Sequence, residues 1–229
     1  SYCAWGCLLH ALRDYFYNFG TGYTGTEEKS PYAETVSLEF GYPASTNPKQ
    51  EYVTIRVSSN AKSTVTVSGW SLVGTSGIVG KIASAAQLPF LGQVNSESPI
   101  SAPPGSVLYV TTGRSPSGVS FRINQCTGYF EQHQDYYPTL AGECPRPTIE
   151  MLRHPDGIAG NRTCIEFIER LPQCQLYSTA IPGNIGSSCQ NFVLNVLSYS
   201  GCINAHRNDP GFFKNEWRIF LSRDQEMWQ

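Results

Sequence analysis

The residues of this chain with the most chemistry are its eight cysteines: Cys3, Cys7, Cys126, Cys144, Cys164, Cys174, Cys189 and Cys202. Their number is even and their spacing irregular, and no C-x-x-C occurs. That pattern supports neither a zinc ribbon nor a thioredoxin-like redox site, and it points to disulfides in an oxidising compartment. The simplest pairing joins sequence neighbours: Cys126–Cys144, Cys164–Cys174 and Cys189–Cys202. Each such bond closes a loop of about 10 to 18 residues, worth roughly 2.5–3 kcal/mol in the loop-entropy account. Cys3 and Cys7 stand apart, four residues from each other. One local disulfide, two buried thiols and intermolecular bonding all stay open for them.

Other chemistry is thin. No H-E-x-x-H, G-x-S-x-G or phosphate-binding loop occurs. The four histidines, His10, His133, His154 and His206, are not at metal-ligand spacing. Asp156-Gly157 and Asn208-Asp209 have the oxygen-rich character of a calcium loop, and equally that of ordinary turns. Glu131 and Asp135 are four apart, as a glycosidase pair would be on a helix, but they lie in a polar loop. Tyr129, Phe130, Tyr136 and Tyr137 offer a binding surface for a sugar or peptide, or else the internal packing of a loop-rich layer. Asn161-Arg162-Thr163 is a glycosylation sequon. No catalytic residue, metal ligand or cofactor is assigned.

The elements that must position these residues fall into five segments. Residues 1–19 read as an amphipathic helix, with Trp5, Leu8, Leu9, Leu12, Tyr15, Phe16 and Phe19 at helical spacing. Residues 20–31 read as a linker. Residues 32–125 alternate with period two in short runs, Glu34–Phe40, Glu51–Val57, Thr64–Ser68, Gly69–Val73, Ile78–Ile82, Ser106–Thr112 and Ser120–Ile123, punctuated by Gly and Pro. Such spacing predicts an antiparallel β-sandwich, with Trp70 as its core anchor. Residues 126–148 read as a disulfide loop. Residues 149–229 read as a cysteine-rich helical region, with helices near 163–171 and 188–199 and a strand at 216–221.

Composition narrows the partners. Sixteen basic residues against 18 acidic ones give a net charge of −2. That excludes a nucleic-acid binder driven by phosphate contacts. Charged residues are 15% of the chain, against a usual level of roughly 25%. Aromatic content of 12% can fill a core, which argues against disorder. No apolar run approaches the length of a membrane span, so membrane anchoring is expected only outside this chain. Residues 1–20 lack the basic start and unbroken apolar stretch of a secretory signal. The expectation is a processed product whose gene continues past Gln229.

Three motifs carry a resemblance. Glu51-Tyr-Val-Thr-Ile55 precedes Val65-Thr-Val-Ser-Gly-Trp-Ser-Leu72, and Ala102-Pro-Pro-Gly-Ser-Val-Leu-Tyr-Val-Thr-Thr-Gly113 follows. In this order they resemble the lamin tail domain, a small immunoglobulin-like sandwich. Val67 stands where that family favours leucine. Segments 120–132, 144–147, 199–202 and 216–221 are similar to those of secreted or surface-anchored bacterial lamin-tail proteins. The resemblance implies a cysteine-rich helical insert after the first sandwich, then a strand at 216–221 opening a second, truncated one. It carries over no catalytic residues.

The expected function is that of a non-enzymatic extracellular or cell-surface protein, structural or adhesive, acting through protein–protein contacts. Its expected partners are other proteins, with a homo-oligomer or polymer such as a filament or surface layer foremost. The alternatives are a carbohydrate- or peptide-binding module and an accessory domain of an exported hydrolase.

Overall fold

The structure, a computed structural model, describes residues 30–75, 77–177 and 181–228. The expected N-terminal helix with Cys3 and Cys7, and all but the end of the linker, lie outside the described residues. The chain divides into two units. One runs up to Arg122 and resumes at Asn215, and the other is Ile123–Lys214.

Period-two alternation produces the longer strands of the first unit, as expected. They are β1 (Val36–Phe40), β2 (Tyr52–Val57), β3 (Val65–Thr66), β4 (Ser71–Val73), β5 (Val79–Lys81) and β6 (Ala85–Ala86). Then follow β7 (Glu97–Ser98), β8 (Ser101–Ala102), β9 (Val107–Thr111), β10 (Phe121–Asn124) and, much later, β11 (Phe213–Phe220). Seven of them form one sheet in the order β1-β2-β9-β11-β10-β6-β7. Two further pairs, β3-β8 and β4-β5, are antiparallel ribbons. The large sheet is mixed: β11 runs parallel to β9, and β10 parallel to β6. An all-antiparallel arrangement is thereby corrected.

Strand 216–221 does not open a second sandwich. Trp217 lies opposite Leu108, and Ile219 opposite Val110, inside the first sheet. The reason is the apolar inward row Trp217, Ile219, which completes the core made by Val53, Ile55, Leu108 and Val110. Trp217 is wholly buried in that core. Trp70 packs against the same core but is only partly buried, with its ring 5.3 Å from that of Tyr32. A single large residue on an inserted strand takes the central position that the sequence pattern gives to Trp70.

After β11 the chain returns across the core. The fully buried Glu51 carboxylate accepts hydrogen bonds from the backbone N–H of Met227, at 2.9 Å, and of Trp228, at 2.9 Å. Arg114 and Asp224 form a bidentate pair at 2.9 Å. Gly74 and Gly80 make room for this segment. A methyl group at Gly74 would lie 1.9 Å from the Met227 carbonyl oxygen, and one at Gly80 2.6 Å from Leu221 Cδ1.

The second unit consists of short helices and loops. Its helices are α1 (Pro147–Arg153), α2 (Arg162–Ile168), α3 (Ser187–Asn191) and α4 (Tyr199–His206). A 3₁₀ segment spans Thr127–Gln132, and a π turn, Phe192–Val196, continues α3. Asn161 caps α2 by accepting from Cys164 N, and Ser198 caps α4 by accepting from Gly201 N. Gly201 lies inside α4. A methyl group there would lie 2.1 Å from Asn195 O, so the glycine permits the tight break between the two helices.

Six cysteines form three disulfides in this unit: Cys126–Cys202, Cys144–Cys174 and Cys164–Cys189. All three sequence-near pairings are corrected. Cys164 and Cys189 lie on the facing sides of α2 and α3, in one apolar cluster with Ile168, Ile185, Phe192 and Val193. Helix packing, not sequence distance, selects the partner. The bonds span 76, 30 and 25 residues. Such links indicate an oxidising compartment.

Candidate functional site

The outer face of the large sheet carries the polar half of each alternating strand. Register places these residues in cross-strand rows. Thr54 lies opposite Tyr109, and Tyr109 opposite Arg218; Arg56 lies opposite Val107, and Val107 opposite Glu216. The Tyr52 and Tyr109 rings meet edge to face at 6.0 Å. The Arg218 guanidinium sits 4.6 Å over the Tyr109 ring and is held by Glu216 at 2.8 Å. Arg56 bonds Glu39 at 2.6 Å, and this hydrogen bond raises the Arg56 pKa above its ordinary value. Gly41 lacks the side chain that would collide with the Tyr52 ring. The result is two half-buried tyrosines flanked by the exposed Arg56–Glu39 pair and by the Arg218–Glu216 pair, whose guanidinium is buried.

The β1 edge is the second feature. Ser58 N donates to Thr35 O at 2.8 Å, which fixes the alternation of the β1–β2 ladder. Ser37 and Glu39 then turn their backbone groups toward β2, and Val36, Leu38 and Phe40 turn theirs away. The Val36 N–H is taken by Tyr32 O at 2.8 Å. Leu38 and Phe40 keep both backbone groups unpaired among the described residues. Phe40 and Tyr42 are each 54% exposed.

A cleft of about 300 Å³ is lined by Ser84, Glu97, Arg114, Ser115, Ser120 and Ser222, among others. Three of its polar side chains have internal partners. Arg114 is paired with Asp224, Ser115 donates to Val119 O, and Ser120 accepts from Phe220 N. No cation is left there to hold an anion.

In the second unit His206 is buried between two carboxylates. Its Nε2 lies 2.9 Å from Glu150 Oε1, and its Nδ1 lies 2.7 Å from Asp209 Oδ2. Arg153 stands 3.7 Å from Asp209. Both ring nitrogens are engaged by carboxylates of the fold itself. The arrangement ties α1 to α4 and to the turn after it. Among the described residues no group of three His, Cys, Asp or Glu is placed to hold a metal ion. No helix among them is long and apolar enough to cross a membrane.

The aromatic group at 129–137 is corrected as a binding surface. Tyr129, Phe130 and Tyr136 are buried, and Tyr137 is half-buried. Phe130 packs on Tyr199 at 4.5 Å and on Tyr136 at 6.4 Å. Burial pushes the Tyr129 hydroxyl up to about 12, with the nearby Glu150 charge adding to it, and burial raises Tyr199 as well. The Cys126–Cys202 and Cys144–Cys174 bonds draw this loop inward. Glu131 accepts from Leu140 N at 2.5 Å and braces the loop, whereas Asp135 is exposed. The sequon Asn161 uses its side chain within the fold: Nδ2 donates to Ile185 O at 2.8 Å. The sequence pattern does not single out Tyr52, Tyr109, Arg56 or Arg218. Their signal is the polar half of the alternation, which becomes a site only once the register is known.

No family model, curated protein or solved structure matches the chain.

Proposed function

We propose that this chain is a non-enzymatic extracellular or cell-surface module of structural or adhesive type, acting through protein–protein contacts. Within that reading its sheet unit is a lamin-tail-like, immunoglobulin-type sandwich. The observation that carries the proposal is the β1 edge, with open backbone groups beside half-exposed Phe40 and Tyr42. An open apolar edge is a template for another chain, and proteins that do not use one blunt it with Lys, Pro or a bulge. Gly69 at φ +91° and Gly105 at φ +81° support the lamin-tail reading, because both occupy the turns at which the family motif has glycine. The disulfides support the location. The test is light scattering across concentration, with and without reductant. Concentration-dependent size supports the proposal, and a monomer throughout sinks it.

A second reading, a carbohydrate- or peptide-binding module, is favoured by the Tyr52–Tyr109 pair with its flanking ion pairs. Tyrosine gives rigid amphipathic contact area, and the exposed Arg56–Glu39 pair supplies donors and acceptors beside it. Screening on a glycan array tests it. Binding that disappears in Tyr109→Ala, in a chain that stays monomeric, would replace the first reading by this one.

A further inference from the structure

We propose that a second copy of this chain pairs with the free edge of β1, antiparallel, on a two-fold axis through Leu38. This rests on the reading of the chain as a module of protein contacts, and it names the partner and the register. The argument starts from the backbone. Leu38 and Phe40 present N–H and C=O outward, and Val36 presents only its C=O, because Tyr32 O takes its N–H. An antiparallel copy centred on Leu38 sets Leu38 against itself and Val36 against Phe40. All of these are outward-facing positions, so they become the hydrogen-bonded pairs of the new ladder. Each Leu38 N–H meets the other copy's Leu38 C=O, and each Phe40 N–H meets the other's Val36 C=O. The engaged Val36 N–H is the one donor this register leaves idle. A register shifted by one residue would set outward groups against inward ones and lose every bond.

The side chains fit the same axis. On the inner face, Val36, Leu38 and Phe40 lie opposite Val57, Ile55 and Val53, on the side of the core. Pairing would set Phe40 on Val36 and Leu38 on Leu38 of the second copy, so the exposed ring of Phe40 leaves water. On the outer face Ser37 meets Glu39. Glu39 is already neutralised by Arg56 at 2.6 Å, and no like charges stand directly opposite. A stretch whose apolar residues are symmetric about its centre, and whose one acid falls opposite a serine, is self-complementary. Isologous pairing is what a two-fold dimer requires.

The test is amide hydrogen exchange on the full chain from about 1 μM to about 1 mM, beside light scattering on the same samples. The expected result is a dimer at high concentration in which the Leu38 and Phe40 amides exchange at least roughly tenfold more slowly than when dilute. Val36 should be protected at both ends of the range. Phe40→Lys, at an exposed position, should return the chain to a monomer with free exchange at Leu38. Leu38→Pro should do the same by removing an outward N–H that the monomer does not use. Oligomers without protection at Leu38 and Phe40 would overturn this register while leaving the function proposal standing. Protection that is independent of concentration would overturn it too, since the edge would then be covered within the monomer. A monomer throughout would overturn both.

Discussion

Two residues show how much of this fold depends on single groups. Glu51 is an acid immediately before β2, yet it is wholly buried, and the returning chain brings two backbone N–H groups to it. Replacing it by alanine strands both donors away from water. Glu51→Ala should cost about 3 kcal/mol in urea unfolding, and Glu51→Gln, which keeps one acceptor, about half as much. Tyr129 is the counterpart in the second unit. Burial favours its neutral form and pushes its pKa up to about 12. A tyrosine so raised contributes stability that is fully present below about pH 10 and is lost as the pH rises toward about 12. The contribution is about 3 kcal/mol. Near-ultraviolet absorbance with circular dichroism should show tyrosine ionisation and loss of this unit together, beginning above about pH 10. Tyr129→Phe should flatten that dependence.

At the scale of elements, the C-terminal segment shows what close approach demands. A methyl at Gly74 meets backbone, the Met227 carbonyl, which cannot turn aside. A methyl at Gly80 meets the ends of the Leu221 and Met227 side chains, which can. Gly74→Ala should therefore cost about 3 kcal/mol and Gly80→Ala about 1 kcal/mol, read from thermal unfolding of the two variants. Strand positions were legible because alternation is local: β1, β2 and β9 lie within a residue or two of where the pattern puts them. The two-residue strands β6, β7 and β8 carry too few residues to show a period. The place of β11 was not legible either. Its apolar row is compatible with any sheet, and only its pairing with β9 decides which. Disulfide partners and the Tyr52–Tyr109 pair failed for the same reason, since both depend on register and packing between distant segments. The aromatic run at 129–137 misled because composition does not say which side of a loop faces water.

At the scale of the molecule, the second unit is an insertion between β10 and β11. Its two ends lie side by side: Gln125 N donates to Phe212 O at 2.9 Å. Ends so placed are the usual mark of a unit carried within another. All three described disulfides are in the insertion, and among the described residues the sheet unit has no cysteine. Their loop spans correspond to about 4.5 kcal/mol for the longest and about 3.5 kcal/mol for each of the others in the entropy account. Calorimetry should thus resolve two transitions. Reductant should lower one of them and leave the other in place.

The interior position of β11 also orders events during biosynthesis. The gap beside β9 can be filled only after the entire inserted unit has emerged from the ribosome. Until then the sheet lacks the strand that pairs with β9, while all six cysteines of the insertion have already been synthesised. Closure of the sheet is therefore the last step that the order of synthesis allows. A chain stopped before Phe213 would carry every cysteine of the three disulfides and lack the strand that fills the middle of the sheet.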